Sequence, residues 1–506
     1  MQQLTGLDAA FLYIETPSTF GHVSSLTMYD PETATGRLTF RDMRDLLEER
    51  LHLLPPFRRR LVDVPFGLDH PYWIEDPDFD LDFHVRHTGV PPPGDDRQLA
   101  DVVARLVARP LDRTRPLWEL YFIEGLEDGH VAVLTKMHHS AIDGVSGAEV
   151  LATLLDLEPE PRKVDPPARP WKPERAPGQL EMLGRGALTI LGRPGKALSL
   201  QRRALQMVGN QPRLREIPVI ALLPVLANLG AIAIPTLTNL LGRAQRRVAD
   251  GEILDAPRYA APRTSLNRTI TPHRRYAFGS LSLDDVKAVK NAFGCTVNDV
   301  VMAICAGGLR RWLVAHRELP REPLLAMVPV SIRTDEEQGS FGNKVSAMVA
   351  PIFTNVEDPA ERLELIHDAM LVAKEQHKAT PAELLTDFAQ FSMPALTARV
   401  NRVIARTKLA DRVAVPFNVV ISNVPGPNFP LYSAGARLVG SYPVSALTDG
   451  IGLNLTVMSY MGNLDFGLLA CREIVPDIWR LLGYLGDSLE ELKKAAKLDR
   501  TDASSP

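Results

Sequence analysis

Cysteine is scarce in this chain of 506 residues: Cys295, Cys305 and Cys471 are its only three, an odd number with no CxxC pair. A disulfide framework and a thiolate zinc site are thereby excluded as organising devices, and a reducing compartment fits best. Charge of one sign is also lacking. Lysine and arginine number 57 against 61 acidic residues, a formal net charge of -4, and no basic run of the kind that tracks phosphates occurs, so no nucleic-acid partner is expected. The opening Met1-Gln-Gln-Leu-Thr-Gly-Leu-Asp8 has neither the basic region nor the apolar stretch of a secretory leader, which predicts a cytoplasmic protein. Familiar catalytic signatures are missing too. Gly144-Val-Ser146-Gly147 is not a G-x-S-x-G nucleophile elbow, and Gly192-Arg-Pro-Gly-Lys196 lacks P-loop spacing. No H-E-x-x-H occurs, and no G-x-G-x-x-G follows a strand pattern.

What is present fits a folded protein with more than one core. The length favours two domains, and apolar residues make up 45% and charged residues 23% of the sequence, as in ordinary globular proteins. Helical and alternating patterns interleave in both halves. Asp101–Ala108 and Val145–Leu157 read as helices and His130–Met137 as a strand. In the second half, Ser282 is placed to cap a helix over Leu283–Ala292. Thr296-Val-Asn298-Asp299 resembles a capping box opening a helix to about His316. Leu325–Val330 and Asn418–Ser422 are strand candidates, and Leu453–Tyr460 with Leu464–Ala470 reads as a hairpin turning at Met461-Gly-Asn463. A last helix is expected over Asp477–Lys497. The class is therefore α/β.

Residues 159–177 hold seven prolines and read as a linker. The expected division is 1–158 for the first domain, 159–263 for the linker and a basic, apolar helical connector, 264–497 for the second domain, and 498–506 for a disordered tail. Within the connector an uncharged run, Ile217 to Gly242, is preceded by arginines such as Arg213 and Arg215 and followed by Arg243, Arg246 and Arg247. It is long enough to cross a bilayer, which takes about 20 apolar residues, but Pro218, Pro224 and Pro235 interrupt it. Two readings remain beside a membrane span: buried helices bracing the domains, or an interfacial patch resting on an anionic membrane or lipid droplet.

The chemistry concentrates in Met137-His138-His139-Ser-Ala-Ile-Asp143-Gly144, at a strand end before a helical pattern. Histidine is the side chain best suited to take a proton near neutral pH. Asp143 can fix the loop through hydrogen bonds or an arginine, and Gly144 gives a position where backbone or substrate passes close. Joint metal ligation by His138 and His139 is awkward because adjacent strand residues face opposite ways, so no metal is expected. A purely structural His-His-Asp cluster stays open at this point. A base without an activated nucleophile or cofactor site suits direct transfer of a pre-activated acyl group.

The form H-H-x-x-x-D-G, matched by His138, His139, Asp143 and Gly144, resembles the signature of the CoA-dependent acyltransferase superfamily. Pro110 to Glu119, with Pro116-Leu-Trp118, resembles the proline-leucine-tryptophan motif of bacterial wax ester synthase/diacylglycerol acyltransferases, and Thr296-Val-Asn298-Asp299 resembles their asparagine-aspartate motif. Gly342-Asn343-Lys-Val-Ser346, Ser422-Asn-Val-Pro-Gly-Pro427, Leu4-Thr-Gly-Leu-Asp8 and Ala261-Pro-Arg-Thr264 with Asn267 are also similar. Ala350-Pro351-Ile-Phe353 departs from the usual Leu-Pro-Thr, which puts acyl or alcohol preference in doubt. The likeness is greatest to actinobacterial triacylglycerol synthases. It implies two chloramphenicol-acetyltransferase-like domains side by side, with the His-His loop in a central tunnel. It further implies acyl-CoA as co-substrate without a cofactor, and diacylglycerol or a long-chain alcohol as acceptor. The protein would be peripheral at an inner membrane or lipid droplet. His139 would be the base, His138, Asp143 and Gly144 would complete the catalytic loop, and Asn298, Asp299, Trp118 and Pro116 would support the substrates. Two alternatives stand beside this: another transferase of the superfamily acting on a different alcohol or amine, and a non-catalytic lipid-binding scaffold.

Overall fold

The computed structural model describes residues 1–34, 38–142, 150, 152–167, 171–192, 260–331, 345–378, 411 and 415–498. In the first half, strands β1 (Gln2–Gln3), β2 (His22–Asp30), β3 (Arg59–Val62), β4 (Tyr72–Glu75), β5 (Val85–Gly89), β6 (Trp118–Glu124) and β7 (Val131–His138) accompany helices α1 (Gly6–Tyr13), α2 (Phe40–Arg50) and α3 (Asp96–Val107). In the second half, strands β8 (Arg274–Ser282), β9 (Leu325–Ser331), β10 (Val345–Pro351), β11 (Val419–Val424), β12 (Tyr432–Ser433), β13 (Ala436–Val444), β14 (Leu453–Tyr460) and β15 (Asn463–Cys471) alternate with four helices, numbered after Gln179–Gly192 (α4). These are α5 (Leu283–Phe293), α6 (Val297–Ala315), α7 (Pro359–Lys378) and α8 (Ile478–Ala495).

Local chemistry explains why these segments form where they do. Thr296 and Asp299 exchange backbone and side-chain hydrogen bonds in the expected capping box of α6, Ser282 caps α5, and Gly294 ends that helix at φ 68°. Asp95 and Gln98 close a second box at the start of α3. Such reciprocal caps satisfy amides that a helix end leaves without partners. The hairpin β14–β15 pairs Tyr460 with Asn463. Met461 and Gly462 therefore form a two-residue turn, both at positive φ, the backbone that matches strand twist in such hairpins.

Two six-stranded sheets dominate, ordered β12-β13-β2-β7-β6-β5 and β10-β9-β11-β14-β15-β8. Strands β12 and β13, from beyond residue 263, complete the sheet otherwise built from residues 22–138. The chain thus laces its halves together by main-chain hydrogen bonds. Where the sheets approach, a Cβ on Gly467 of β15 would lie 1.7 Å from the Pro443 carbonyl oxygen of β13, so glycine is required there. Helix α3 fills the wedge: Leu99, Val103 and Leu106 share one continuous core with Leu26, Tyr276, Phe278 and Val300.

The sequence pattern Val145–Leu157 overran its helix. The described helical residues there end at Leu154, because Asp156 is taken by other partners. Its backbone bridges Tyr432, and its carboxylate accepts two hydrogen bonds from Arg50 at 2.7 and 2.8 Å. Both side chains are almost wholly buried, at 0% and 2% exposure. Removing one member of such a pair strands the other charge, a loss of about 3–5 kcal/mol. Asp156→Ala is expected to lower unfolding stability by that order in a denaturant titration, while Arg162→Ala, at the exposed edge of the same carboxylate, changes it by less than about 1 kcal/mol.

Among the described residues no single helix is long and apolar enough to cross a membrane; α5 and α6 pass together only as a pair bent by 104°, and α6 lies largely in the core. The Ile217–Gly242 run and residues 499–506 of the expected 498–506 tail lie outside the described residues, whereas Leu498, its first residue, packs partly buried against the core.

Candidate active site

The central strand β7, buried at all eight positions, delivers the two histidines. His138 ends the strand opposite His22, and the chain then turns, with the Ala141 and Ile142 amides donating to the His138 carbonyl at 2.9 and 3.3 Å. The two rings part company. His138 is 1% exposed and His139 is half-buried, stacked on Phe11 of α1 with centroids 4.7 Å apart.

His138 is held at both nitrogens. The Ser140 amide donates to its Nδ1 at 3.0 Å, which makes that nitrogen the acceptor and puts the proton of the neutral ring on Nε2. Nε2 donates to Glu15 Oε1 at 3.3 Å. Glu15 also accepts from the Gly21 amide at 2.8 Å and pairs with Arg113 through its other oxygen at 2.5 and 3.0 Å. Burial opposes ionisation of Glu15, but His138, Arg113 and the Gly21 amide outweigh it and hold the carboxyl down at about 2. Burial pushes the His138 imidazole below its ordinary value against the pull of Glu15. The result is a neutral ring with a fixed tautomer.

Gly21 is required here. A Cβ at that position would sit 2.5 Å from His138 Nε2 and 2.7 Å from the Phe11 carbonyl oxygen. Its own carbonyl accepts from the His139 amide at 2.9 Å, so one turn, Glu15–Gly21, touches the ring of one histidine and the backbone of the other.

Behind the pair, the end of α3 is tied to the same sheet face. Buried Lys136 donates to the Leu106 and Arg109 carbonyls and to Glu119. His22 Nε2 lies 3.0 Å from the Val107 carbonyl. Cationic and N–H donors suit the carbonyl end of a helix, which accounts for a lysine at 0% exposure.

Other residues singled out in sequence take different places. Trp118 packs: its Nε1–H donates to the Phe57 carbonyl at 2.9 Å, with Phe57 and His84 stacked at 4.4 and 4.5 Å. Pro116 is buried just before it, its carbonyl accepting from the Trp118 amide. Asp299 caps α6, and its Oδ2 also meets His367 Nδ1 at 2.7 Å. Asn298 Oδ1 faces Asn423 at 3.5 Å. Asp143, Gly144 and the Gly342–Lys344 part of the later block lie outside the described residues. Glu15, Gly21 and Phe11 carried no local signal, because 123 residues separate Glu15 from His138. Arg113 stood inside the Pro110–Glu119 segment and Ser140 inside the histidine motif.

Buried neutral histidines make a stability prediction. Burial lowers His84 to about 4 and His22 well below its usual value. The unfolded chain, with histidines near 6.5, then binds more protons below that pH, so stability falls as pH drops from about 6.5 to about 4. Each such group contributes up to about 1.4 kcal/mol per pH unit in that window. Thermal unfolding midpoints are expected to fall by at least about 5 °C between pH 7 and 4.5.

Two six-stranded sheets, the first completed by strands from the second half of the chain, define a class of fold. The starter condensation domain of rhizomide synthetase shares it, with TM-score 0.53 at 12% identity over 100% of this chain and 97% of that one. Greater likeness comes from the wax ester synthase/diacylglycerol acyltransferase of Marinobacter aquaeolei VT8, with TM-score 0.65, 30% identity and coverage of 98% and 100%. Residues 4–301 match the wax ester synthase/diacylglycerol acyltransferase catalytic domain, and residues 341–493 match the C-terminal domain of the same family. Two Mycobacterium tuberculosis H37Rv proteins named as diacylglycerol O-acyltransferases are similar. One, tgs2, is 36% identical over 494 residues, covering 96% of this chain and 98% of its own. The other is 35% identical over 494 residues, covering 97% and 90%. The chain belongs to the wax ester synthase/diacylglycerol acyltransferase family, and it is an acyltransferase.

Proposed function

We propose that this enzyme transfers an acyl group from acyl-CoA to the hydroxyl of a diacylglycerol, forming triacylglycerol, with long-chain alcohols as further acceptors, and that His139 is the general base. The observation that carries the assignment is the division of labour at the end of β7. His138 is buried and hydrogen-bonded at both ring nitrogens, whereas His139 presents a half-buried ring beside Phe11.

In this mechanism His139 takes the hydroxyl proton as the oxygen attacks the thioester carbonyl. The tetrahedral intermediate collapses by breaking the C–S bond, and the leaving CoA sulfur takes the proton back from the imidazolium. No enzyme nucleophile and no resident cofactor is needed. Asp143 and Gly144 shape the catalytic loop. Asp299 is committed to capping and to His367, so Asn298 is the better donor to the oxyanion. Donor and acceptor reach His139 through a tunnel between the halves. Apolar acceptor and product favour a cytoplasmic enzyme working peripherally at a membrane or lipid-droplet surface, with the arginine-flanked Ile217–Gly242 run as the proposed contact.

The test is thiol release from palmitoyl-CoA by purified protein with diacylglycerol, hexadecanol or no acceptor. Release that requires an acceptor, with ester product in equal amount, is the expected result, and diacylglycerol is the preferred acceptor. Acceptor-independent hydrolysis, or no turnover with either alcohol, would sink the reading.

A further inference from the structure

The turn Glu15–Gly21 is gripped from two sides. Towards the histidines it offers the Glu15 carboxylate and the Gly21 carbonyl. Internally it is stiff: Thr16 Oγ1 accepts from the amides of Ser18 and Thr19 at 3.2 and 3.0 Å, and the Thr16 amide donates to the Thr19 carbonyl at 3.0 Å. Its apex faces the other half of the molecule. There Arg274, the first residue of edge strand β8, donates from Nη2 to the Ser18 carbonyl and lays its guanidinium over Phe20, 5.2 Å from the ring centroid. Phe20 in turn stacks on His22 at 5.5 Å.

Arg274 is an unusual cation. It is 6% exposed, and its hydrogen bonds run to three carbonyls, those of Ser18, Thr271 and His273. Among the described residues no carboxylate pairs with it directly. A planar guanidinium holds several carbonyls in a fixed fan, which an ammonium cannot reproduce. Among the described residues, its bond to Ser18 is the one hydrogen bond joining the turn to residues beyond 263. The adjacent Arg275 instead reaches Asp101 at an exposed pair, 3.1 Å.

We propose that Arg274 is a positioning residue for acyl transfer: it clamps the Glu15–Gly21 turn from the second half of the molecule and thereby fixes where His138 and His139 stand relative to that half. This inference rests on His139 being the base. A reaction between two substrates that meet at His139 between the halves depends on that placement, and a displacement near 1 Å at a reacting group lowers rates by about 10²-fold.

The experiment measures kcat and KM for acyl-CoA and for the acceptor in Arg274→Lys, Arg274→Ala, Arg275→Ala and His139→Ala, together with Tm and the pH dependence of kcat/KM. Arg274→Lys and Arg274→Ala are expected to lower kcat by about 10- to 100-fold, with each KM changed less than about threefold. Added guanidinium is expected to restore part of the kcat of Arg274→Ala, and Arg275→Ala stays near wild type. Wild-type kcat in Arg274→Lys would overturn the proposal. So would a loss that tracks a fallen Tm, with an unmoved pH profile and no rescue by guanidinium. Activity surviving in His139→Ala would instead remove the base on which the proposal rests, whereas an inert His139→Ala beside a fully active Arg274→Lys would overturn the clamp alone.

Discussion

His139→Ala is expected to lower acceptor-dependent CoA release by about 10²–10⁴-fold in kcat/KM, the range that general-base catalysis supplies, with little effect on folding. The reasoning starts from burial. His139 is the member of the pair with a half-buried ring, and alanine keeps the backbone hydrogen bond from its amide to the Gly21 carbonyl. Lost ring stacking on Phe11 amounts to about 0.5–1.5 kcal/mol, too little to unfold the protein. Activity and stability therefore separate in this variant. His138→Ala behaves in the opposite sense: it removes a fully buried side chain and its bonds to Glu15 and Ser140, so Tm and activity fall together. Steady-state kinetics beside thermal unfolding for both variants checks the division. A His139→Ala enzyme with full activity would return the pair to a structural role.

Glu15→Ala is expected to reduce kcat by about 10²-fold and to lower Tm. The substitution removes the acceptor for His138 Nε2–H and the Gly21 amide and takes from Arg113 its carboxylate partner, leaving it the Leu12 carbonyl. A buried donor left without an acceptor costs about 1–3 kcal/mol, and the ring of His138 gains freedom to turn. The effect has a pH signature. Because the Glu15 carboxyl is held near 2, it stays ionised at every pH where the enzyme is assayed. Its contribution to stability is fully present above about 4.5 and is lost progressively as pH falls from there through about 2. The ratio of wild-type to Glu15→Gln activity should thus be flat from pH 5 to 9. A ratio that bends within that range would show Glu15 exchanging protons during turnover, and a Glu15→Ala enzyme with wild-type kcat would reduce the network to packing.

Local interactions are what the sequence by itself determined. The capping box at Thr296–Asp299, the cap at Ser282 and the two-residue turn of the β14–β15 hairpin depend on residues within four positions of one another, so their chemistry can be read in order along the chain. The histidine motif was legible for the same reason, as a strand end followed by a turn, and so was the family. Tertiary structure alone decided the rest. It passed β13 into the first sheet, a choice made by long-range pairing with β2. It ended the helix before Asp156, because a buried arginine 106 residues away claims that carboxylate. It set the environment of His138 through Glu15, Gly21 and Arg113, and it brought Arg274 from the second half onto the same turn. A spacing in sequence can show that two neighbouring histidines diverge. Which one is buried and kept neutral depends on groups that only the packed chain brings within hydrogen-bonding distance.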